Sequence, residues 1–150
     1  MKGTAIEVTA LKRFVIDASI LVKLFFEEEH SESCVRYVSH ATELLAPDLL
    51  WVEAANVVWK RLRRNKITSA DAAALVDEIL RVPIVTASHA GLTSPALAIA
   101  AQTGRTVYDC LYLALAIRES IPMLTGDERL ANSLTAGPYA KHVRFIGAPL

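Results

Sequence analysis

Short apolar runs alternate along this chain with longer segments that have the periodicity of helices. The clearest runs, at 14–16 and 122–125, are each followed by a helical segment. Strands that are covered by helices on both faces consist of such continuous apolar runs, because neither face meets water. The alternation therefore predicts an α/β fold with a mostly parallel, buried sheet.

The same pattern locates the individual elements. The helix predicted at 107–119 is apolar on almost every face, which is typical of a central helix. No repeat or flexible linker divides the chain, so we expect one domain over residues 1–150, with 1–12 as a leader of uncertain structure. We predict strands at 14–16, 44–46, 83–86, 122–125 and 142–146, and helices at 19–26, 31–41, 47–64, 68–80, 94–102, 107–119 and 127–134.

Charge and composition narrow the possible functions. Lys and Arg together number 16, as do Asp and Glu, so no overall field indicates a polyanionic or polycationic partner. The two cysteines, Cys34 and Cys110, are too few for a disulfide framework, and we predict that both are core residues in a reducing compartment. No apolar stretch approaches the ~20 residues that cross a bilayer, so we expect a cytoplasmic protein without membrane contact.

Four acidic side chains occupy positions where a metal site is expected. Asp17 and Asp127 each follow an apolar strand, Asp109 lies in the first turn of the predicted central helix, and Glu53 lies within another helix. The carboxyl ends of parallel strands meet at one edge of the sheet, so acids delivered there converge in space. Converging carboxylates repel each other, and a divalent cation relieves that repulsion. No glycine-rich phosphate loop, Ser-His-Asp elbow or paired-cysteine motif offers another site.

Each acid also has a purely structural interpretation. Asp is favoured at the cap or first turn of a helix, and Thr106 with Asp109 resembles a capping box. The spacing of Glu53 places it on the same apolar stripe as Leu50 and Val57. An ionised carboxylate there is costly unless it is paired or bound to metal, and a nearby arginine would provide such a pair. Both interpretations stay open at this stage.

One local cluster of positive charge lies at the end of the helix that carries Glu53. Cations suit the carboxyl end of a helix, so the cluster has a structural explanation as a solvated helix end. The alternative is a group of side chains that bind phosphates beside the acidic pocket. The cluster consists of Lys60, Arg61, Arg63, Arg64 and Lys66.

Four segments around the acids resemble those of PIN-domain proteins, and most closely the VapC-like ribonuclease toxins of type II toxin–antitoxin systems. They are VIDASILVK with Asp17, LWVEAANV with Glu53, VYDCLYLALA with Asp109 and LTGDERL with Asp127. The segments occur in the family's order, and the resemblance covers nearly all of 14–146. The leader is longer than is usual in this family, whose first strand begins almost at the first residue.

The resemblance implies a three-layer α/β/α PIN-like fold and a Mg²⁺- or Mn²⁺-dependent endoribonuclease that hydrolyses RNA phosphodiester bonds. It also implies the toxin of a toxin–antitoxin pair, a homodimer, and a cognate VapB-like antitoxin that occludes the pocket.

The resemblance also assigns expected roles to the acids. Divalent cations held by carboxylates suit phosphodiester hydrolysis, because they activate water and stabilise charge on the phosphate oxygens. We expect Asp17 and Asp109 to bind the metal directly, and Glu53 and Asp127 to complete the cluster directly or through water. The hydroxyl groups of Ser19 and Thr125 are expected to orient the carboxylates.

Two alternatives remain. A phospho-receiver signalling domain also gathers acids around Mg²⁺, but it requires an adjacent acidic pair after the first strand and a lysine at the end of the last strand. In this chain Asp17 stands alone after the first strand, and Glu53 lies within a helix. The second alternative is a catalytically silent PIN-fold module that binds RNA or a partner, and the presence of all four acids argues against it.

Overall fold

The sheet consists of short parallel strands. The computed structural model describes residues 12–148, so the predicted leader lies outside the described residues except for Lys12. Within that range the strands are β1 (Arg13–Ile16), β2 (Glu43–Pro47), β3 (Val85–Ala87), β4 (Met123–Thr125) and β5 (Val143–Phe145). They form one five-stranded sheet in the order β3-β2-β1-β4-β5, and each neighbouring pair is parallel.

Helices connect the strands and flank the sheet, which gives the predicted three-layer α/β/α arrangement. Short 3₁₀ helices at His89–Leu92 and Ala140–His142 precede the fifth α-helix and β5. No helix within residues 12–148 combines the length and the apolar character needed to span a bilayer. The α-helices are α1 (Ala18–Lys23), α2 (Ser31–His40), α3 (Leu49–Arg63), α4 (Ser69–Ile79), α5 (Thr93–Thr103), α6 (Val107–Glu119) and α7 (Glu128–Thr135).

The predicted elements are present, and the differences lie at their ends. The helix predicted to start at residue 47 begins at Leu49, because Pro47 still pairs with Ala87 in the sheet. The strand predicted at 83–86 lies at Val85–Ala87. The first helix ends at Lys23 instead of residue 26.

The helix α6 is the central helix, as its composition predicts. Every residue from Cys110 to Ala116 is buried. Cys34 of α2 is buried as well, and both cysteines are free thiols, so their predicted place in the core is confirmed. A helix that is covered on all sides holds its amino-terminal turn in a fixed position relative to the sheet, and that turn carries Asp109.

The buried face of α3 differs from the predicted one. The residues in the core are Leu50, Ala54 and Val58, whereas Val57 is only partly buried. The prediction followed the larger side chains, but the small Ala54 lies at the centre of the buried face. Glu53 is adjacent to that face and is half-buried, so its carboxylate lies at the border between core and solvent.

Replacement of a leucine in α6 tests its central place. Leu115 is fully buried, and we expect Leu115→Ala to lower the free energy of unfolding by about 2–5 kcal/mol, because it removes buried methyl groups and leaves a cavity. Leu97 of α5 is 60% exposed and is the matched control, with an expected loss below about 1 kcal/mol. Urea denaturation measures both, and equal losses would contradict the central position of α6.

Candidate active site

Two of the four acids lie at the carboxyl ends of the neighbouring strands β1 and β4. In the observed strand order, β1 and β4 are neighbours, and the connections leave them towards opposite edges of the sheet. Such a switch point opens a crevice at the carboxyl ends of the strands. Asp17 directly follows β1, and Asp127 follows β4 after one glycine. The sheet topology therefore places these two acids at the same crevice.

Both of these acids also cap a helix, as their structural interpretation predicts. The Oδ1 atom of Asp17 accepts a hydrogen bond from the N–H of Ile20 at 3.2 Å, and Oδ1 of Asp127 accepts one from the N–H of Leu130 at 3.0 Å. The cap uses a single oxygen of each carboxylate, and a carboxylate has about four acceptor positions. Capping and ligand binding are therefore compatible.

Asp17 is the most deeply buried acid of the site. Its side chain accepts hydrogen bonds from the hydroxyl groups of Ser19 and Thr125, the latter to Oδ2 at 2.5 Å. Burial nevertheless raises the pKa of Asp17, the hydrogen bonds oppose this rise, and the charge of Asp109 adds to it. The protein thus keeps a carboxylate in a place where negative charge is unfavourable unless a cation neutralises it.

Ser19 and Thr125 are oriented by the backbone after β4. The Ser19 hydroxyl accepts a hydrogen bond from the N–H of Gly126 at 2.8 Å, and the Thr125 hydroxyl accepts one from the N–H of Asp127 at 3.0 Å. Each hydroxyl can then direct its own hydrogen at Asp17. These contacts agree with the orienting role expected from the sequence, and they join the ends of β1 and β4.

Glu53 is paired with a tyrosine that sequence analysis missed. The hydroxyl of Tyr112 donates a hydrogen bond to Oε2 of Glu53 at 3.2 Å. Burial raises the pKa of Glu53, the Tyr112 hydrogen bond lowers it, and the charges of Asp17 and Asp109 raise it further. Within residues 12–148 no arginine or lysine forms an ion pair with Glu53, so the arginine pair that was its structural alternative is absent there.

A positional signal for Tyr112 exists in the sequence. Tyr112 lies three residues after Asp109 on α6, so both side chains share one face of that helix. Burial, followed by the charge of Glu53, raises the pKa of the Tyr112 phenol, which therefore stays protonated and acts as a donor.

Asp109 occupies the first turn of α6. The hydroxyl of Thr106 accepts a hydrogen bond from the N–H of Asp109 at 3.2 Å, which is half of the predicted capping box. Burial raises the pKa of the Asp109 carboxyl, the charge of Arg105 lowers it, and the charge of Asp127 raises it. Arg105 is a further residue near the site that sequence analysis did not select.

The four acids are linked through the effects of their charges on pKa values, although their side chains do not converge on one ion-binding point. The charge of Asp109 raises the pKa of Asp17, and the charges of Asp17 and Asp109 raise the pKa of Glu53. The charge of Asp127 raises the pKa of Asp109. Within residues 12–148, no three Asp, Glu, His or Cys side chains converge closely enough to hold an ion in their present positions. Mutual repulsion keeps unneutralised carboxylates apart.

The donor set fits a hard divalent cation. It consists of carboxylate oxygens supported by hydroxyl groups, which is the chemistry of Mg²⁺ and Mn²⁺ sites. The buried Asp17 carboxylate with its raised pKa is the observation that such a cation would satisfy.

Fold and site together define an α/β/α protein with two carboxylates at the switch point of a parallel sheet and two more on the helices α3 and α6. The chain belongs to the PIN-domain family, whose model matches residues 14–133. It is 36% identical over 126 residues to Ribonuclease VapC3 of Pyrobaculum aerophilum, a match that covers 83% of this chain and 96% of the relative. The family expected from the sequence is therefore confirmed.

Solved structures confirm the fold. The protein PAE2754 of Pyrobaculum aerophilum superposes with a TM-score of 0.67 at 22% identity, covering 91% of this chain and 92% of that one. VapC20 of Mycobacterium tuberculosis, a toxin that cleaves the sarcin–ricin loop, has a TM-score of 0.61 at 15% identity, covering 80% of this chain and 94% of that one. A toxin–antitoxin complex from Klebsiella pneumoniae has a TM-score of 0.57 at 13% identity, covering 89% and 97%.

The raised pKa values predict how stability depends on pH. In EDTA, folded Asp17, Glu53 and Asp109 bind protons more tightly than the unfolded chain does. Their contribution to the free energy of unfolding is therefore fully present below the unfolded pKa of about 4 and is lost as pH rises through the higher folded values. We expect Asp17→Asn to flatten this decline and to raise the melting temperature of the metal-free protein near neutral pH.

Thermal denaturation from acidic to mildly basic pH, in EDTA and with excess Mg²⁺ or Mn²⁺, measures these effects. Metal should raise the melting temperature of the wild type by mass action, and more so at higher pH, where the acids are ionised. Asp17→Asn should respond less. Asp77→Asn, which removes an exposed acid on α4, is the control and should respond as the wild type does. Equal metal-induced rises in the melting temperature of the wild type and of Asp17→Asn would contradict the proposed metal site.

Proposed function

We propose that this protein is an endoribonuclease that hydrolyses RNA phosphodiester bonds with Mg²⁺ or Mn²⁺, and that Asp17, Glu53, Asp109 and Asp127 form its active site. The observation that carries the proposal is the buried Asp17 carboxylate, which two hydroxyl groups hold at the switch point, and whose pKa the charge of Asp109 raises further. Glu53 and Asp127 are linked to these two acids through their charges. Membership of the PIN-domain family and the similarity to a VapC ribonuclease support it.

The proposed role of each side chain follows from its surroundings. Asp17 and Asp109 would bind the metal directly, because Asp17 is fixed by Ser19 and Thr125, and Asp109 by the first turn of α6. When bound, the cation would supply positive charge to the phosphate oxygens and lower the pKa of a coordinated water.

Glu53 is the proposed proton acceptor. Hydrolysis forms a bond from the water oxygen to phosphorus and breaks the bond from phosphorus to one ribose oxygen, and it releases a proton from the water. The raised pKa of Glu53 makes it a better base than an ordinary carboxylate, and Tyr112 holds its orientation. Asp127 caps α7 through one oxygen and would contribute to the cluster with the other.

Cleavage of single-stranded RNA tests the proposal. Activity should require divalent metal, and alanine at Asp17, Glu53, Asp109 or Asp127 should each lower kcat/KM by on the order of 10³-fold or more, with double replacements adding little. Thr125→Val removes only an orienting hydroxyl group and should lower kcat/KM by roughly 10–100-fold.

Asp77→Ala should retain wild-type activity, and circular dichroism establishes that each variant is folded. Robust cleavage in EDTA, or by the Asp109→Ala variant, would contradict the proposed mechanism. A wild type that binds RNA but is as inactive as Asp17→Ala would favour the silent binding module instead.

We further propose that the enzyme is the toxin of a toxin–antitoxin pair and is blocked by a VapB-like antitoxin. The similarity to VapC3, and the shared fold of the Klebsiella pneumoniae toxin–antitoxin complex, support this role. Because the pocket is acidic, an antitoxin segment with an Arg or Lys side chain would complement it.

A homodimer is part of the same proposal. Val52 and Trp59 are exposed by 66% and 49%, and they lie seven residues apart on one face of α3. A second copy packed against this face would cover them.

Expression in a bacterial host tests the toxin role. The wild type should arrest growth, whereas Asp17→Ala should permit it at equal protein level, because the arrest depends on RNA cleavage. Asp77→Ala is again the control and should arrest growth as the wild type does. Normal growth with a soluble wild type that cleaves RNA in vitro would contradict the toxin role and leave the ribonuclease proposal intact.

A further inference from the structure

The basic end of α3 contains one arginine that is held by other side chains. Arg61 donates a hydrogen bond to Oε1 of Glu28, and its guanidinium lies 3.7 Å from the centre of the Phe26 ring. Ion pair and ring together fix the plane of the guanidinium. A guanidinium has five N–H donors, so most of them remain for another ligand.

A second cation reaches the same glutamate from α1. Lys23 lies four residues after Ser19, and its Nζ is 3.1 Å from Oε2 of Glu28. A Cβ atom at Gly126 would lie only 2.6 Å from Cε of Lys23, so the lysine stem crosses the backbone of Gly126. That glycine precedes Asp127, and its N–H binds Ser19. The Lys23–Glu28–Arg61 group therefore borders the acid cluster directly.

The group carries an excess of positive charge at the edge of a negative pocket. Glu28 is the shared partner of both cations, so the three side chains have a net charge of +1 at neutral pH. The four acids repel a polyanion, and a neighbouring positive charge offsets this repulsion. The remaining cations at the end of α3, which are all exposed, extend the positive surface: Lys60, Arg63, Arg64 and Lys66.

We propose that Arg61, with Lys23 beside it, binds a backbone phosphate of the RNA next to the bond that is cleaved, and that Glu28 holds both cations while limiting their net charge. This inference rests on the proposed ribonuclease function and adds a substrate-binding site to it. Arg61 lies eight residues after Glu53, about 12 Å along the axis of α3, so the phosphate would be a neighbour of the scissile one.

The position beside the acids favours RNA over an acidic protein segment as the ligand. An RNA strand cleaved at the acids would carry its adjacent phosphates past the residues beside them, and Lys23, which lies against Gly126 and shares Glu28 with Arg61, is one of those residues. The fixed plane of Arg61 suits two parallel hydrogen bonds to a phosphate. An acidic protein segment as the true ligand would leave RNA affinity insensitive to this group.

Binding of a short oligouridine RNA in EDTA tests the inference without cleavage. Fluorescence anisotropy gives Kd between about 0.05 and 0.3 M NaCl, and each phosphate contact on a single strand contributes about 0.7 to the slope of log Kd against log salt. Arg61→Gln should reduce this slope by about 0.7. With 1 M salt as the reference at which the two proteins bind equally, this change corresponds to a Kd about fivefold weaker than that of the wild type at 0.1 M salt. Lys23→Met should weaken binding in the same direction.

Glu28→Gln separates this proposal from a purely structural ion-pair group. It removes the negative charge but keeps an acceptor, so RNA binding should become tighter, by a similar factor of about five. A structural group predicts a lower melting temperature for Glu28→Gln and no gain in affinity. Arg61→Lys retains the charge and should retain the salt slope. It therefore distinguishes the loss of the positive charge from misfolding of Arg61→Gln.

Arg118→Gln is the matched control. It removes one arginine and its ion pair with Glu119 at the far end of α6, so RNA binding should not change. An unchanged slope in Arg61→Gln, or weaker binding by Glu28→Gln, overturns the inference. Failure of the wild type to cleave RNA with Mg²⁺ is measured separately and overturns the proposed function instead.

Discussion

The burial of the Asp17 carboxylate between the ends of β1 and β4 is the constraint on which the site depends. The hydroxyl groups of Ser19 and Thr125 point their hydrogens at it because backbone N–H groups occupy their acceptor side. This arrangement fixes the carboxylate but does not neutralise it, since burial still raises the pKa of Asp17. The protein therefore holds a group whose charged form becomes favourable when a cation binds.

The other acids are arranged around that group by elements with different degrees of freedom. Asp109 is carried by α6, which is buried on all sides and cannot tilt without disturbing the core. Glu53 lies at the border of the core on α3 and is held by Tyr112. Asp127 combines helix capping with membership of the cluster. The main-chain positions of the four acids are thus fixed by packed helices and strands.

Positive charge borders the acids on one side. Lys23 lies across Gly126 and shares Glu28 with Arg61, so the acid pocket and the basic end of α3 are linked by one chain of contacts. A strongly negative pocket alone would hinder the approach of a polyanion. The proposed metal site and the proposed binding site for the RNA backbone therefore adjoin each other.

The sequence by itself determined the order of the secondary-structure elements, and it was sufficient to select the four acids as the candidate site. Apolar runs and helical periods were sufficient for the strand and helix order, and for α6 they gave both ends correctly at Val107 and Glu119, because the capping residue and the apolar composition are local signals. The class of the site followed from acids at strand ends, since strand direction dictates where such ends meet.

Tertiary structure decided the rest, because the relevant contacts join residues far apart in the chain. Glu53 meets Tyr112 across 59 positions, and Arg61 meets Glu28 across 33, so no local pattern predicts either pair. The buried face of α3 was misjudged because the small Ala54 carries little hydrophobic signal, yet packing favours it at the centre. Composition and period predict which residues are buried or capped, whereas only the packed fold determines which side chains share one pocket.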